Sequence, residues 1–290
     1  MLAPVRRRSQ TARTKIAIVG SGNLGSALAL SLRAAGYRIT EIVSRDATQR
    51  KARRLASRVG ARVISLRRRQ ITADVIWFCV PDHAIAACAE TLAGRATWKG
   101  KIAWHSSGAL SSNELRALSR RGAWTASVHP FMTFVPGVTP ALAGASFAVE
   151  GDRRAVSIAR RIVSDLGGRA FAISARNKAA YHAWGAFASP LLTALLALGE
   201  KVAAAAGVRR KEARQRMAPI LRQTVENYIL RGPAAGFSGP LIRGDVATVR
   251  KHLQALRQIP GSDEVYRALA RSALRTLPAK NRKTLEKVLR

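Results

Sequence analysis

In the string Asn177-Lys178-Ala179-Ala180-Tyr181-His182, Lys178 and His182 stand four residues apart, so on a helix they share one face and either could deliver a proton. Adding hydride to a carbonyl leaves an alkoxide, which a positioned ammonium or imidazolium stabilises and protonates. The plainer alternative is a solvated lysine beside a structural histidine. A second group follows Thr224, Glu226 and Asn227: in Gly239-Pro240-Leu241-Ile242-Arg243-Gly244-Asp245 the Arg243 guanidinium could grip a carboxylate with two bonds. Alternatively Arg243 pairs with Asp245, and Asp245 caps a helix starting at Val246.

A third group lies just after apolar runs that read as strands: Val80-Pro81-Asp82-His83, His105-Ser106-Ser107-Gly108 and His129-Pro130. In open parallel sheets ligands bind beyond the carboxyl ends of the strands. Val80, Pro81 and Asp82 are therefore expected beside a cofactor, and His105, Ser106, Ser107, Gly108 and His129 beside a substrate. The competing roles are structural: Pro81 as a strand stop, Asp82 capping a helix from Ala84, Ser106 and Ser107 as turn and cap residues, and each histidine bonding a carbonyl. No G-x-S-x-G elbow supports a serine hydrolase. No His/Asp/Glu set has helical metal-ligand spacing, so no metal is expected.

The element that organises these groups opens the folded chain. An apolar strand, Lys15 to Val19, runs into Gly20-Ser21-Gly22-Asn23-Leu24-Gly25 and then a helical pattern from Ser26 to Ala35, with a second strand at Ile39 to Val43. That context makes G-x-G-x-x-G a dinucleotide fingerprint: Gly20 for the tight turn, Gly22 for backbone approach to a pyrophosphate, Gly25 for helix–strand packing. The second strand ends Val43-Ser44-Arg45, with Glu41 inside the strand and Asp46 one residue too far on. A hydroxyl and a guanidinium suit the 2'-phosphate of NADP, so NADP is expected in preference to NAD. Against this, Arg45 is one more arginine in an arginine-rich chain.

Further strands are expected at Arg62 to Leu66, Asp74 to Val80, Lys101 to His105, Trp124 to Val128, Ser146 to Glu150 and Ala170 to Ile173, with a basic helix at Lys51 to Val59. From about Ala175 helical patterns take over: Asn177 to Ala206, Arg210 to Arg231, Val246 to Ile259 and Ser262 to Leu277. The expected fold is α/β, an N-terminal Rossmann-type doubly wound sheet followed by an all-helical C-terminal domain. Its divisions are a basic, disordered tail at 1–14, a nucleotide domain at 15–174 and a helical domain at 175–290.

A formal net charge of +34 on 290 residues raises nucleic acid or anionic membrane as partners. The basic clusters are dispersed, however, over Arg6 to Arg8, Arg67 to Arg69, Arg209 to Lys211 and Lys280 to Arg290, with few aromatics to stack bases. Arginine with abundant alanine is also what GC-rich coding produces. Specific nucleic-acid binding is therefore not expected. The most apolar stretch, Ala183 to Leu198, is short for a membrane span and contains Pro190, so a buried or interface helix is expected and no membrane. The two cysteines, Cys79 and Cys88, show no metal or disulfide pattern and suit a cytoplasmic location.

These motifs together resemble the Rossmann-like family whose C-terminal half is the domain of unknown function 2520. The resemblance runs from Lys15 to about Leu256 and rests on Gly20 to Gly25, Val80-Pro81-Asp82, His105 to Ala109, His129-Pro130-Phe131-Met132-Thr133-Phe134, Lys178 to His182, and Gly239 to Asp245. It implies the wider group of 6-phosphogluconate dehydrogenase-like enzymes, which includes ketopantoate reductase, pyrroline-5-carboxylate reductase and prephenate dehydrogenase. In several of these the proton donor is the lysine of K-x-x-x-N. Here Lys178 matches it, with His182 in place of asparagine, and Pro190 stands where the family more often has asparagine. The resemblance implies an NADPH-dependent reductase of a small oxo-acid such as ketopantoate, a carboxylate substrate, and a homodimer formed through the helical domain. Lys178 would be the general acid, His182 its partner and Arg243 the carboxylate clamp. Imine or pyrroline-carboxylate reduction is one alternative, and a non-catalytic NADP sensor with a basic interaction surface is another.

Overall fold

Alternation between two buried faces explains why the first strand forms. In β1 (Lys15–Val19), Ile16 and Ile18 enter one core and Ala17 and Val19 the other. The computed structural model describes residues 14–67 and 71–290. The expected basic tail, apart from Thr14, and the Arg68-Arg69 part of one basic run lie outside the described residues.

Seven further strands join β1: β2 (Arg38–Ser44), β3 (Arg62–Ser65), β4 (Val75–Phe78), β5 (Ile102–His105), β6 (Trp124–Pro130), β7 (Ser146–Gly151) and β8 (Arg169–Ala172). They lie in the order β3-β2-β1-β4-β5-β6-β7-β8, parallel throughout except for β6 against β7. The order reverses between β1 and β4, which opens a crevice at their carboxyl ends.

Helices α1 (Asn23–Ala34), α2 (Arg50–Val59) and α5 (Arg153–Asp165) bury Leu28, Leu32, Leu55 and Ile162 on one face of the sheet. On the other face α3 (Asp82–Ala93) buries Ile85, Ala89 and Leu92, and the short α4 (Arg116–Ser119) buries Leu118. Each fully buried Leu or Ile contributes roughly 1.5–3 kcal/mol, so this double-sided core sets the strand positions firmly.

Glu41 has no exposed surface inside β2, and it receives hydrogen bonds from Thr40, from the Thr72 backbone N–H and hydroxyl, and from the Arg62 guanidinium at 2.9 Å. It is part of the sheet's internal wiring, as its place within the strand implies.

The chain divides into two compact units after Ala188, rather than after residue 174. The first unit therefore includes α6 (Lys178–Ala188). The single helix expected from Asn177 to Ala206 is broken at Ser189, whose φ/ψ of −132°/−79° is not helical. Pro190 accounts for this, since it disfavours the helical conformation in the residue before it. By length and composition alone, the helical stretch 175–205 could cross a membrane.

The second unit holds α7 (Pro190–Ala205), α8 (Arg210–Gly236), α9 (Pro240–Arg243), α10 (Val246–Leu256), α11 (Ser262–Thr276) and α12 (Arg282–Val288). Its core is small: Val249, Leu253, Ala270, Leu274, Leu285 and Leu289. Helix α12 falls in the terminal basic run, where its Leu285/Leu289 spacing was hidden among charges. Helix α7 buries none of its residues, so of the two expectations for Ala183 to Leu198, a buried or an interface helix, the buried one does not hold for this part of the stretch. Leu191, Leu192 and Leu195 are exposed.

Burial alone would raise the Glu41 carboxyl, but the bonds from Thr40, Thr72 and Arg62 outweigh it and hold the group below its usual range. A carboxyl lowered in the folded state stabilises above the unfolded pKa, and this contribution is lost as pH falls through the folded pKa. Glu41→Gln is expected to cost about 2 kcal/mol at neutral pH. In urea unfolding, the gap between variant and wild type should close below about pH 4.

Candidate active site

The glycine turn after β1 is shaped by close backbone approach. Gly20 has φ +103°, and a Cβ there would sit 2.7 Å from the Cys79 carbonyl oxygen; one on Gly25 would meet the Gly20 carbonyl at 2.1 Å. A Cβ on Gly22, by contrast, would meet nothing within 4 Å, and no side chain caps α1 there. The first N–H groups of α1 therefore face open space, an arrangement that favours an anion.

Beside the turn is a cleft of about 540 Å³ whose walls include Gly20, Ser21, Gly22, Arg45, Val80 and Pro81. Leu24 of the motif packs on the core instead, and the Asn23 amide donates to the Phe134 carbonyl at 3.2 Å. Ser44 also lines the cleft, largely buried, with its hydroxyl donating to the Asp46 carbonyl. The cations at the tip of β2 are Arg45, Arg50 and Lys51, all exposed and all lining the cleft. Asp46 accepts from the Thr48 N–H at 2.9 Å and from its hydroxyl at 2.6 Å.

Past β5, several expected substrate residues prove to be scaffolding. His105 is fully buried, with Nδ1 accepting from the Ser107 N–H at 3.1 Å and Nε2 lying 2.8 Å from the Ser111 carbonyl. Burial pushes its pKa down to about 4, with Lys178 adding to the effect. Ser106 accepts from the Trp77 indole at 2.7 Å. The Ser107 hydroxyl donates to Asp82 at 2.8 Å and accepts from the N–H groups of Ala109 and Leu110. These bonds tie His105, Ser106 and the Ser107 side chain into the scaffold around β5. Asp82 opens α3 without capping it and instead holds Ser107.

A buried polar group is built where β5, β6 and α6 meet. Lys178, only 1% exposed, donates from Nζ to the Ser107 carbonyl at 3.0 Å and to the Ser127 hydroxyl at 2.5 Å. Ser127 passes its own hydrogen to the same carbonyl at 3.2 Å. Burial pushes the Lys178 ammonium down to about 8, against the opposing pull of Glu150 and Asp82.

Next to it, His129 Nδ1 lies 2.7 Å from the Tyr181 hydroxyl, and the His129 and His182 rings are 6.2 Å apart, nearly perpendicular. Burial, then Lys178 and His182, lower His129 to about 3, so it is neutral at pH 7 while Lys178 is charged. Both groups are lowered by burial, and they are left in different charge states at neutral pH, one a cation and one a neutral ring. Gly108 makes the arrangement possible: a Cβ there would lie 2.6 Å from His182 Cδ2 and 3.0 Å from His129 Nε2.

Arg243 and Asp245 belong to the second unit. Asp245 caps α10 through the Thr248 N–H at 3.0 Å and hydroxyl at 2.7 Å, which removes it as a substrate ligand. Arg243 is exposed and in no ion pair among the described residues. The glycines of this motif serve packing, since Gly244, at φ +70°, lies against the Lys280 backbone and its carbonyl accepts from Asn281.

Residues 3–130 match the model of the Rossmann-like domain, and residues 145–273 match the domain of unknown function 2520. The chain is a Rossmann-like protein carrying that domain. Comparison with curated protein sequences finds no match. Among solved structures, a proposed NADP oxidoreductase from Bacteroides fragilis is 23% identical with a TM-score of 0.74, covering 89% of this chain and 97% of its own. A protein from Thermotoga maritima is 25% identical with a TM-score of 0.70, covering 95% and 100%. The reductive aminase from Aspergillus terreus, in complex with NADPH and ethyl-5-oxohexanoate, is 19% identical with a TM-score of 0.64, covering 96% and 99%.

In this Rossmann-like protein two polar partners escaped the sequence reading. Ser127 has no exposed surface within β6, and a serine at a buried strand position was the available signal. Tyr181 lay inside the Lys178 to His182 string, but only its contact with His129 gives it a role. Gly108→Ala should lower stability by about 1–3 kcal/mol, because its methyl must displace two rings. Denaturant unfolding of the variant checks this, and an unchanged midpoint would mean the rings yield freely.

Proposed function

We propose that this protein is an NADPH-dependent reductase of a small oxo-acid, with Lys178 as general acid. The observation that carries the reading is the buried ammonium held beside the carboxyl ends of β5 and β6. The residues around the first cleft fit NADPH: an uncapped α1 N-terminus, open space over Gly22, and Arg45, Arg50 and Lys51 where a 2'-phosphate would need cations. NADPH, when bound, supplies the hydride. Lys178 then stabilises the charge growing on the substrate oxygen and gives up its proton, while Ser127 and the Ser107 carbonyl fix its direction.

The same ammonium favours a carbonyl over an imine. An iminium carries positive charge at the reacting group, and the carboxylates that act on Lys178, Asp82 and Glu150, are already bonded to Ser107 and Ser112. Ketopantoate is the oxo-acid to try first. We assign His182 as the partner of Lys178 at the site mouth and the cytoplasm as the compartment, which suits two free thiols. We also propose a homodimer through the helical unit, supported by exposed Leu191, Ile229 and Leu230. Sedimentation should show a dimer that Leu230→Asp weakens.

Nucleotide fluorescence titration at moderate salt should give saturable NADPH binding tighter than NADH, with Arg45→Ala losing about ten-fold of that preference. Lys178→Met should lower turnover by on the order of 10²–10⁴ while leaving NADPH binding intact. Its stability should be no less than wild type, because a buried charge has been exchanged for an apolar chain. In wild type, kcat should hold below about pH 8, where Lys178 keeps its proton, and decline above it. Failure to bind either nucleotide overturns the reading.

A further inference from the structure

We infer that Tyr181 is a positioning residue that fixes His129 as its Nε2–H tautomer, so that this N–H donates to an oxygen of the substrate. The inference rests on the oxo-acid reading above for the identity of that oxygen, and on this chain's own geometry for the tautomer.

The direction of the Tyr181–His129 bond follows from what each group can do. Tyr181 is 6% exposed and enclosed by aromatic rings, with centroids of Phe131, Phe171 and Trp184 at 5.5, 6.0 and 6.2 Å. Its hydroxyl has one hydrogen-bond partner among the described residues, His129 Nδ1 at 2.7 Å. A buried hydroxyl hydrogen needs an acceptor. If His129 carried its hydrogen on Nδ1, two donors would face each other or the phenolic hydrogen would be left unpaired. Tyr181 therefore donates, and Nδ1 accepts.

A neutral imidazole that accepts at Nδ1 carries its hydrogen on Nε2. Neutrality is enforced by burial and by the charged or chargeable neighbours Lys178, His182 and His105. Nε2 has no partner among the described residues, yet it is not one of the fully buried, unpaired side-chain atoms, which are Trp104 Nε1 and Asp263 Oδ1. It therefore keeps some accessible surface, although Gly108 and His182 pack closely along one side of the ring. A neutral N–H there adds a second donor next to the Lys178 ammonium without adding charge. Two adjacent donors suit an acceptor-rich substrate, with one oxygen for Lys178 and another for His129.

The test uses the full-length protein with ¹⁵N-labelled histidine, the His129 signals being identified by their loss in His129→Gln. Wild type should show a protonated Nε2 and an unprotonated Nδ1, and Tyr181→Phe should populate the other tautomer with its thermal midpoint nearly unchanged. With an oxo-acid substrate, Tyr181→Phe should raise KM about five-fold at similar kcat and NADPH affinity, the size expected for one hydrogen bond. His129→Phe, which keeps a ring but has no donor, should behave like Tyr181→Phe. A hydrogen on Nδ1 in wild type overturns the inference, as does a Tyr181→Phe variant with unaltered tautomer and KM. Absence of any oxo-acid turnover in wild type would count against the reductase reading instead, with the NMR result still deciding the tautomer.

Discussion

Burying one ammonium is the constraint around which the first unit is arranged. Removing a charge from water costs several kcal/mol unless polar partners replace the lost hydration. For Lys178 those partners are the Ser107 carbonyl, just past β5, and the Ser127 hydroxyl, within the neighbouring β6. They come within reach of one side chain because β5 and β6 are parallel neighbours, pairing His105 with Ser127. The β5 loop is held in turn by His105, which links Ser107 to Ser111, and by Asp82 from α3. Much of the polar chemistry after β5 thus serves to keep one carbonyl pointed at one lysine.

The same economy separates the two sides of the crevice. On the nucleotide side, the backbone does the work: glycines allow close approach, and helix N–H groups are left without caps. Side chains add positive charge at the rim, while the nearby buried acid, Glu41, is consumed by Thr40, Arg62 and Thr72. On the other side, charge is sparse and specific, with one ammonium, one neutral imidazole and one tyrosine in an aromatic enclosure. Many exposed cations thus rim the glycine cleft, whereas few, fixed donors stand on the other side.

The nucleotide fold and its glycine turn were legible in the sequence because they depend on local pattern. Alternation of apolar residues gives strands, and φ-demanding turns give glycines. Even the lysine four residues from a histidine was visible, because helical periodicity is a local property. Boundaries were less legible: the break at Ser189 needed the conformational effect of Pro190, and α12 was hidden in a run of charges.

What the sequence could not settle was which polar residues were free to act. His105 and His129 both follow apolar strands and look alike in one dimension. In three dimensions both ring nitrogens of His105 are occupied, whereas His129 uses one nitrogen and keeps the other open. Ser44, Ser106, Ser107 and Asp245 likewise make bonds within the fold that their sequence positions did not show. Local pattern determined where the strands end and which residue types stand there. Only the tertiary structure decided which of those groups had already found partners, because hydrogen-bond saturation depends on segments far apart in the chain.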